Sequence, residues 1–131
     1  MNIWNFVARY RGRIVTNPWG TYKGQCVSLV QKWIYENGWP MRSGNAIQWQ
    51  YNGYGGYRWY KNYWWSVPKA GDIIVFRTGT YGHIGIVMPG ANVWHVDVFN
   101  QNWPHGKCID RAIITRFNYL RPKCLGWLRK V

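Results

Sequence analysis

The sequence predicts an α+β domain, and three observations carry the prediction. Apolar residues recur at positions 26, 27, 29, 30, 33 and 34, the spacing of a helix with one buried face. From Pro68 onward the texture changes to short β-branched and apolar runs between Gly and Pro turns, which read as strands. These strands follow the helical stretches instead of alternating with them, so N-terminal helices should pack on a mostly antiparallel sheet. At 131 residues the chain is one domain by size, residues 1–131, and can bury a core without metal or disulfide staples.

Taken in order, Ile3, Phe6, Val7 and Tyr10 outline a short amphipathic helix that Arg11 and Gly12 end. Thr16, Asn17, Pro18, Trp19 and Gly20 form a turn-rich loop leading into the helix that Cys26 opens. Gly38, after Asn37, is the stop signal of that helix. A third short helix is expected over 45–51. Residues 52–66 are rich in Gly and aromatics and read as an irregular surface segment. Pro68 to Asp72 is a turn, followed by a strand over 73–77. Gly79 to Gly82 is a second turn, and 83–88 a second strand. Pro89 and Gly90 break it, 93–99 reads as a third, and 109–117 and 125–128 supply one or two more. There is no internal repeat and no linker.

Charge is the strongest compositional signal. Seventeen Lys and Arg against four Asp and Glu give +13, which speaks of partners and little of fold. Nucleic acid, anionic lipid and anionic wall polymers are all admissible. Eleven Trp and ten Tyr would suit single-stranded nucleic acid, and equally a groove for sugar rings or a peptide. No run of about eighteen apolar residues exists to span a membrane. The first twelve residues lack the basic start, apolar stretch and small-residue cleavage site of a secretory signal. Action outside a cell would need another route of delivery.

The three cysteines, Cys26, Cys108 and Cys124, allow one disulfide and one thiol, with no CxxC and no metal-finger spacing. If Cys108 and Cys124 pair, Cys26 is left over. Cys26 lies at a helix N-terminus, where unpaired N–H groups and the positive dipole end favour a thiolate. His83 opens a strand directly after a glycine turn, so its ring can project from a sheet edge toward a helix end. Cysteine on an early helix and histidine on a later strand is the general pattern of a thiol hydrolase. There the histidine keeps the sulfur ionised and then protonates the leaving amine, while a third polar group fixes its tautomer. Taken singly, each residue has a plainer reading: a small core cysteine and a partly exposed surface histidine. His95, mid-strand, and His105, in a loop after Trp103 and Pro104, suit the role less well.

Four stretches stand in order: Gly24-Gln25-Cys26-Val27-Ser28-Leu29-Val30, Pro68-Lys69-Ala70-Gly71-Asp72-Ile73-Ile74, Tyr81-Gly82-His83-Ile84-Gly85-Ile86-Val87, and Val98-Phe99-Asn100-Gln101-Asn102-Trp103. Together they resemble the CHAP family, the cysteine, histidine-dependent amidohydrolases/peptidases of papain-like fold that cut bacterial peptidoglycan. The resemblance runs from about residue 20 to the C-terminus. It implies Cys26 as nucleophile and His83 as base. Many relatives carry Glu where this chain has Asn100. Asn can orient the imidazole by accepting its ring N–H, but brings no negative charge. Asn100 and Asn102 are alternate residues, so both side chains are expected on one face of a strand, and either could reach His83. Asn100 is the expected orienting residue, with Asn102 supporting or substituting. Asp97, an odd number of positions away, should face oppositely. The Cys26 N–H, with the Gln25 side chain, is the expected oxyanion site.

Some relatives carry an Asp-rich calcium loop before the nucleophile. Residues 16–24 hold no carboxylate here, so no calcium site is expected there; no other metal and no cofactor are expected either. The resemblance implies cleavage of a wall amide bond through a thioester acyl-enzyme. That bond is either in a peptide cross-bridge or between stem peptide and muramic acid. It also implies a phage endolysin or virion-associated lysin acting at the host wall or outside the cell, without a signal peptide. The +13 charge would hold such an enzyme to anionic wall polymers and would bind nucleic acid only non-specifically. A monomer is expected. The competing readings are a non-catalytic basic binding module, with Cys26 as core, and a Cys-His-His peptidase. Against the latter, no second histidine occupies position 100.

Overall fold

Asn2 starts the first helix, α1 (Ile3–Tyr10), by accepting the Trp4 N–H on its side chain at 2.7 Å. The computed structural model describes residues 1–103 and 111–131. Helix α2 (Cys26–Asn37) ends as its sequence requires: Gly38 takes a left-handed φ of 69° and its N–H reaches the carbonyls of Ile34 and Tyr35. Only glycine adopts that conformation without cost. Residues 45–51 do form a helical element, but a tighter one, the 3-10 helix Ala46–Tyr51.

Six strands follow: β1 (Tyr57–Lys61), β2 (Ile73–Arg77), β3 (His83–Val87), β4 (His95–Asn100), β5 (Ile113–Asn118) and β6 (Lys123–Lys130). They form one sheet in the order β1-β6-β2-β3-β4-β5, with antiparallel neighbours throughout. The expected papain-like α+β architecture is therefore present. Strand ends shift from the sequence reading: β3 stops at Val87, β4 runs from His95 to Asn100, and β5 and β6 begin at Ile113 and Lys123 instead of 109 and 125. The stretch read as irregular, 52–66, contains β1, which pairs with β6 at the sheet edge from Tyr57 opposite Lys130 to Lys61 opposite Gly126. His95 opens its strand instead of sitting within it.

The sheet separates two cores. On one face Phe6, Leu29, Val30, Trp33 and Ile34 from the helices pack against Val75, Ile84, Ile86 and Phe99. Burying each such side chain contributes roughly 1.5–3 kcal/mol. On the other face Ile74, Phe76, Val87, Val98, Phe117 and Trp127 meet one another. Phe76 of β2 and Phe117 of β5 have ring centroids 4.6 Å apart, although β3 and β4 lie between their strands. Only a strongly curled sheet allows that contact.

Beneath the turn before β2, buried Asp72 takes two-pronged hydrogen bonds from Arg129, the shortest 2.8 Å, and one from the Lys69 N–H. Among the described residues no helix is long and apolar enough to cross a membrane.

Candidate active site

Cys26 is the first residue of α2 and half-buried. The loop that delivers it is held by neutral groups. Asn17 Oδ1 accepts from Trp19 and Thr21 N–H, both at 3.0 Å, and its Nδ2 donates to Thr21 Oγ1 at 2.8 Å. Gly24 N–H donates to Val15 O at 3.0 Å, and Ser28 Oγ–H to Tyr22 O at 2.6 Å. Gly24 has a φ of +82°, which turns the chain into the helix. Among the described residues no group of His, Cys, Asp and Glu could hold a metal ion.

His83 begins β3 and is 3% exposed. Its approach is fixed by Gly82, at φ +77°, where a Cβ would lie 2.8 Å from Ile47 N and 2.9 Å from Phe76 O. The imidazole is enclosed by Phe76, Phe117 and Trp103, with centroids at 6.3, 5.9 and 5.1 Å. This burial pushes its pKa down to about 4, against a smaller opposing pull from its hydrogen bond to Asn100. A neutral ring follows near pH 7.

Asn100, the last residue of β4, is fully buried. Its Oδ1 lies 2.7 Å from His83 Nε2, and its Nδ2 faces Val98 O, Ile113 O and Thr115 Oγ1 at 3.1, 3.2 and 3.2 Å. Three acceptors around the nitrogen fix the amide's orientation. The oxygen facing His83 can only accept, so Nε2 carries the proton and Nδ1 presents its lone pair. Gly85, two residues along β3, makes the approach possible. A Cβ there would sit 3.0 Å from Asn100 Cβ and 2.3 Å from Val98 Cγ1.

Cys26 and His83 line one cavity of about 610 Å³, together with Gln25, Asn45, Asn102 and Trp103. A second hollow of about 640 Å³ shares Gln25, Val27 and Asn45 with it, and continues past Asn17, Ser28 and Gln31. The two adjoin at these residues, and among the described residues no Lys, Arg, Asp or Glu lines either.

The remaining expected residues fall as follows. Asn102 does not share a strand face with Asn100, because β4 ends at Asn100 and Asn102 adopts a φ of +64°. Its Oδ1 is buried without a partner among the described residues, and its side chain lines the cavity. Asp97 falls on the strand face opposite Asn100, as alternation predicts, and pairs with Arg116 at 2.8 Å. Cys124 is a buried free thiol whose pKa burial pushes up to about 12. His105 and Cys108 lie outside the described residues. Sequence reasoning gave no role to Trp103, Gln101, Gly85 or Asn45. The first three lie inside the quoted motifs, which was the one available signal.

An α+β fold of papain-like type, with a helix-start thiol and an amide-tethered imidazole on one cavity, defines the class. The chain belongs to the CHAP domain family, whose model matches residues 16–102. It is 41% identical over 93 residues to endolysin PlyTW of Staphylococcus phage Twort, covering 64% of this chain and 20% of that one. To endolysin LysK of Staphylococcus phage K it is 38% identical over 92 residues, covering 64% and 18%. The chain therefore spans no more than about a fifth of the length of these curated relatives. The crystal structure of a wild-type endolysin, LysIME-EF1, superposes with a TM-score of 0.78 over 98% of this chain and 62% of that one, at 23% identity. That likeness shows the fold.

Proposed function

We propose that this chain is a peptidoglycan hydrolase that cuts an amide bond of the bacterial wall with Cys26 as nucleophile, as part of a phage lysin. One observation carries the reading: Cys26 and His83 open on the same cavity, with the imidazole tethered by Asn100 through the nitrogen that leaves Nδ1 available. The endolysin relatives support the wall as substrate.

Burial favours neutral His83 near pH 7, so its Nδ1 is available as a base. Nδ1 takes the thiol proton as sulfur attacks the amide carbon, and the carbonyl oxygen gains the negative charge beside the Cys26 N–H and the Gln25 side chain. Collapse breaks the C–N bond, and the imidazolium gives its proton to the departing nitrogen. A water deprotonated by His83 then attacks the thioester, releasing a carboxylic acid and restoring the thiol. Asn100 stabilises the Nε2–H throughout, and the exposed cations hold the protein to anionic wall polymers.

Cys26→Ala is the deciding variant. It should bind wall as before and release no soluble muropeptides, while Cys124→Ala stays active. Mass analysis of the released fragments then separates a cut within the peptides from one that frees the muramoyl lactyl carboxylate. Retained lysis in Cys26→Ala would overturn the reading in favour of a basic binding module carrying a contaminating activity.

A further inference from the structure

Gln101 takes no part in the chemistry above, yet it is as fully buried as Asn100. Its amide is committed to two segments far away in sequence. Oε1 accepts from the Val15 N–H at 3.0 Å, and Nε2 donates to Val15 O at 2.9 Å and to Gln25 O at 2.7 Å. Both donor hydrogens of the amide are thus used. The two acceptors are the ends of the nucleophile loop. Val15 O also receives Gly24 N–H at 3.0 Å, and Gln25 O receives Ser28 N–H at 3.1 Å, in the first turn of α2. Gln101 therefore clamps the loop at its entry and at the residue immediately before Cys26.

Its neighbour in sequence, Asn100, holds His83 from the other side. The supports of nucleophile and base are consecutive residues joined by one planar peptide unit. We infer that Gln101 is a positioning residue that sets Cys26 against the His83 imidazole, an inference that rests on the thiol–imidazole reading above. The geometry gives it leverage: misplacement by about 1 Å can cost on the order of a hundredfold in rate.

Three variants test it: Gln101→Leu, Gln101→Glu and His83→Ala. Two readouts are taken on protein whose folded fraction is measured by thermal melting. One is kcat and KM on wall fragments. The other is the alkylation rate of Cys26 by iodoacetamide from about pH 6 to about pH 10, read by mass on the Cys26 peptide. Gln101→Leu should lower kcat about tenfold or more with little change in KM. Its Cys26 alkylation near neutral pH should fall toward that of His83→Ala, the rates converging at high pH where the thiol ionises unaided. Gln101→Glu can donate to a carbonyl only while protonated. Its activity should fall as the carboxyl ionises, a limb that the wild type lacks.

A folded Gln101→Leu with wild-type kcat and alkylation profile would overturn the inference. So would a rate loss that merely tracks the unfolded fraction, or failure of both Gln101 variants to fold, which would make the residue purely structural. If His83→Ala leaves the alkylation profile unchanged, the thiol–imidazole pairing itself fails, and the inference falls with it.

Discussion

The Oδ1 of Asn100 accepts the Nε2–H of His83 at 2.7 Å beside a box of three aromatic rings, and both residues are buried. The amide is uncharged, so it fixes the tautomer and direction of the ring without stabilising an imidazolium by charge. Asn100→Ala should therefore lower kcat roughly tenfold to a hundredfold, by misdirecting Nδ1, with KM nearly constant. Steady-state rates on wall fragments check this. Unchanged kcat would show that the ring is held by its aromatic neighbours alone.

The same burial links His83 to stability. Its pKa falls from 6.5 to about 4 in the fold, so between those values the unfolded chain binds a proton that the folded chain refuses. Stability therefore rises with pH across that window and is level above it. Acidification from above the window to below it should cost about 3 kcal/mol through this group. Denaturant titrations of wild type and His83→Gln, compared across the window, read the difference. Parallel pH curves for the two proteins would contradict it.

Much of this site was legible in the sequence, for identifiable reasons. The helix opened by Cys26 follows from a clean apolar period and a glycine stop, and His83 from a glycine turn before a β-branched run. Strand β1 was hidden because it is an edge strand beside Gly53, Gly55 and Gly56, and its burial pattern (only Tyr57 buried) does not alternate clearly. The placement of Asn102 misled because period-two reasoning holds only while the strand lasts, and β4 stops two residues earlier. What Gln101 meets could not be read at all. Its partners stand 86 and 76 positions away, and only the folded chain brings them together.

Gly85 has an ordinary extended backbone, so its role is space. In Gly85→Ala the new methyl would collide with Val98 Cγ1 and press on Asn100 Cβ and Phe99 O. Separating β3 from β4 there should cost about 1–3 kcal/mol and lengthen the His83–Asn100 bond. The variant should lose both melting temperature and kcat, as circular dichroism and turnover will show. A stable, fully active Gly85→Ala would mean that the strands part without disturbing the tether.

Most of the +13 charge has no acidic partner within the chain, and attraction between exposed charges is screened over about 10 Å at 0.1 M salt. Retention on purified wall should fall steadily with added salt, while Cys26 alkylation, a local reaction in a cavity, should not. Sedimentation of wall-bound protein over a salt series measures the first. A flat response would assign wall contact to exposed aromatics such as Trp64, 83% exposed, and the stacked Tyr63 and Trp65.

Trp103 closes the box over the imidazole, 5.1 Å from His83 and 5.2 Å from Phe117 between ring centroids. It also lines the cavity that Cys26 shares, so it stands between the His83–Asn100 bond and solvent. Burial is the larger cause of the lowered His83 pKa, and removing the indole admits water to the ring. In Trp103→Ala the pKa should climb back toward 6.5. With His83 as the proposed base, the acid limb of the rate profile should move to higher pH, leaving the variant most impaired in mildly acidic buffer. Trp103→Phe, which keeps an aromatic cover, should move it less. The two profiles and an NMR titration of the His83 ring test the same shift independently. An acid limb that stays in place in Trp103→Ala would mean that Phe76 and Phe117 alone exclude water from the ring.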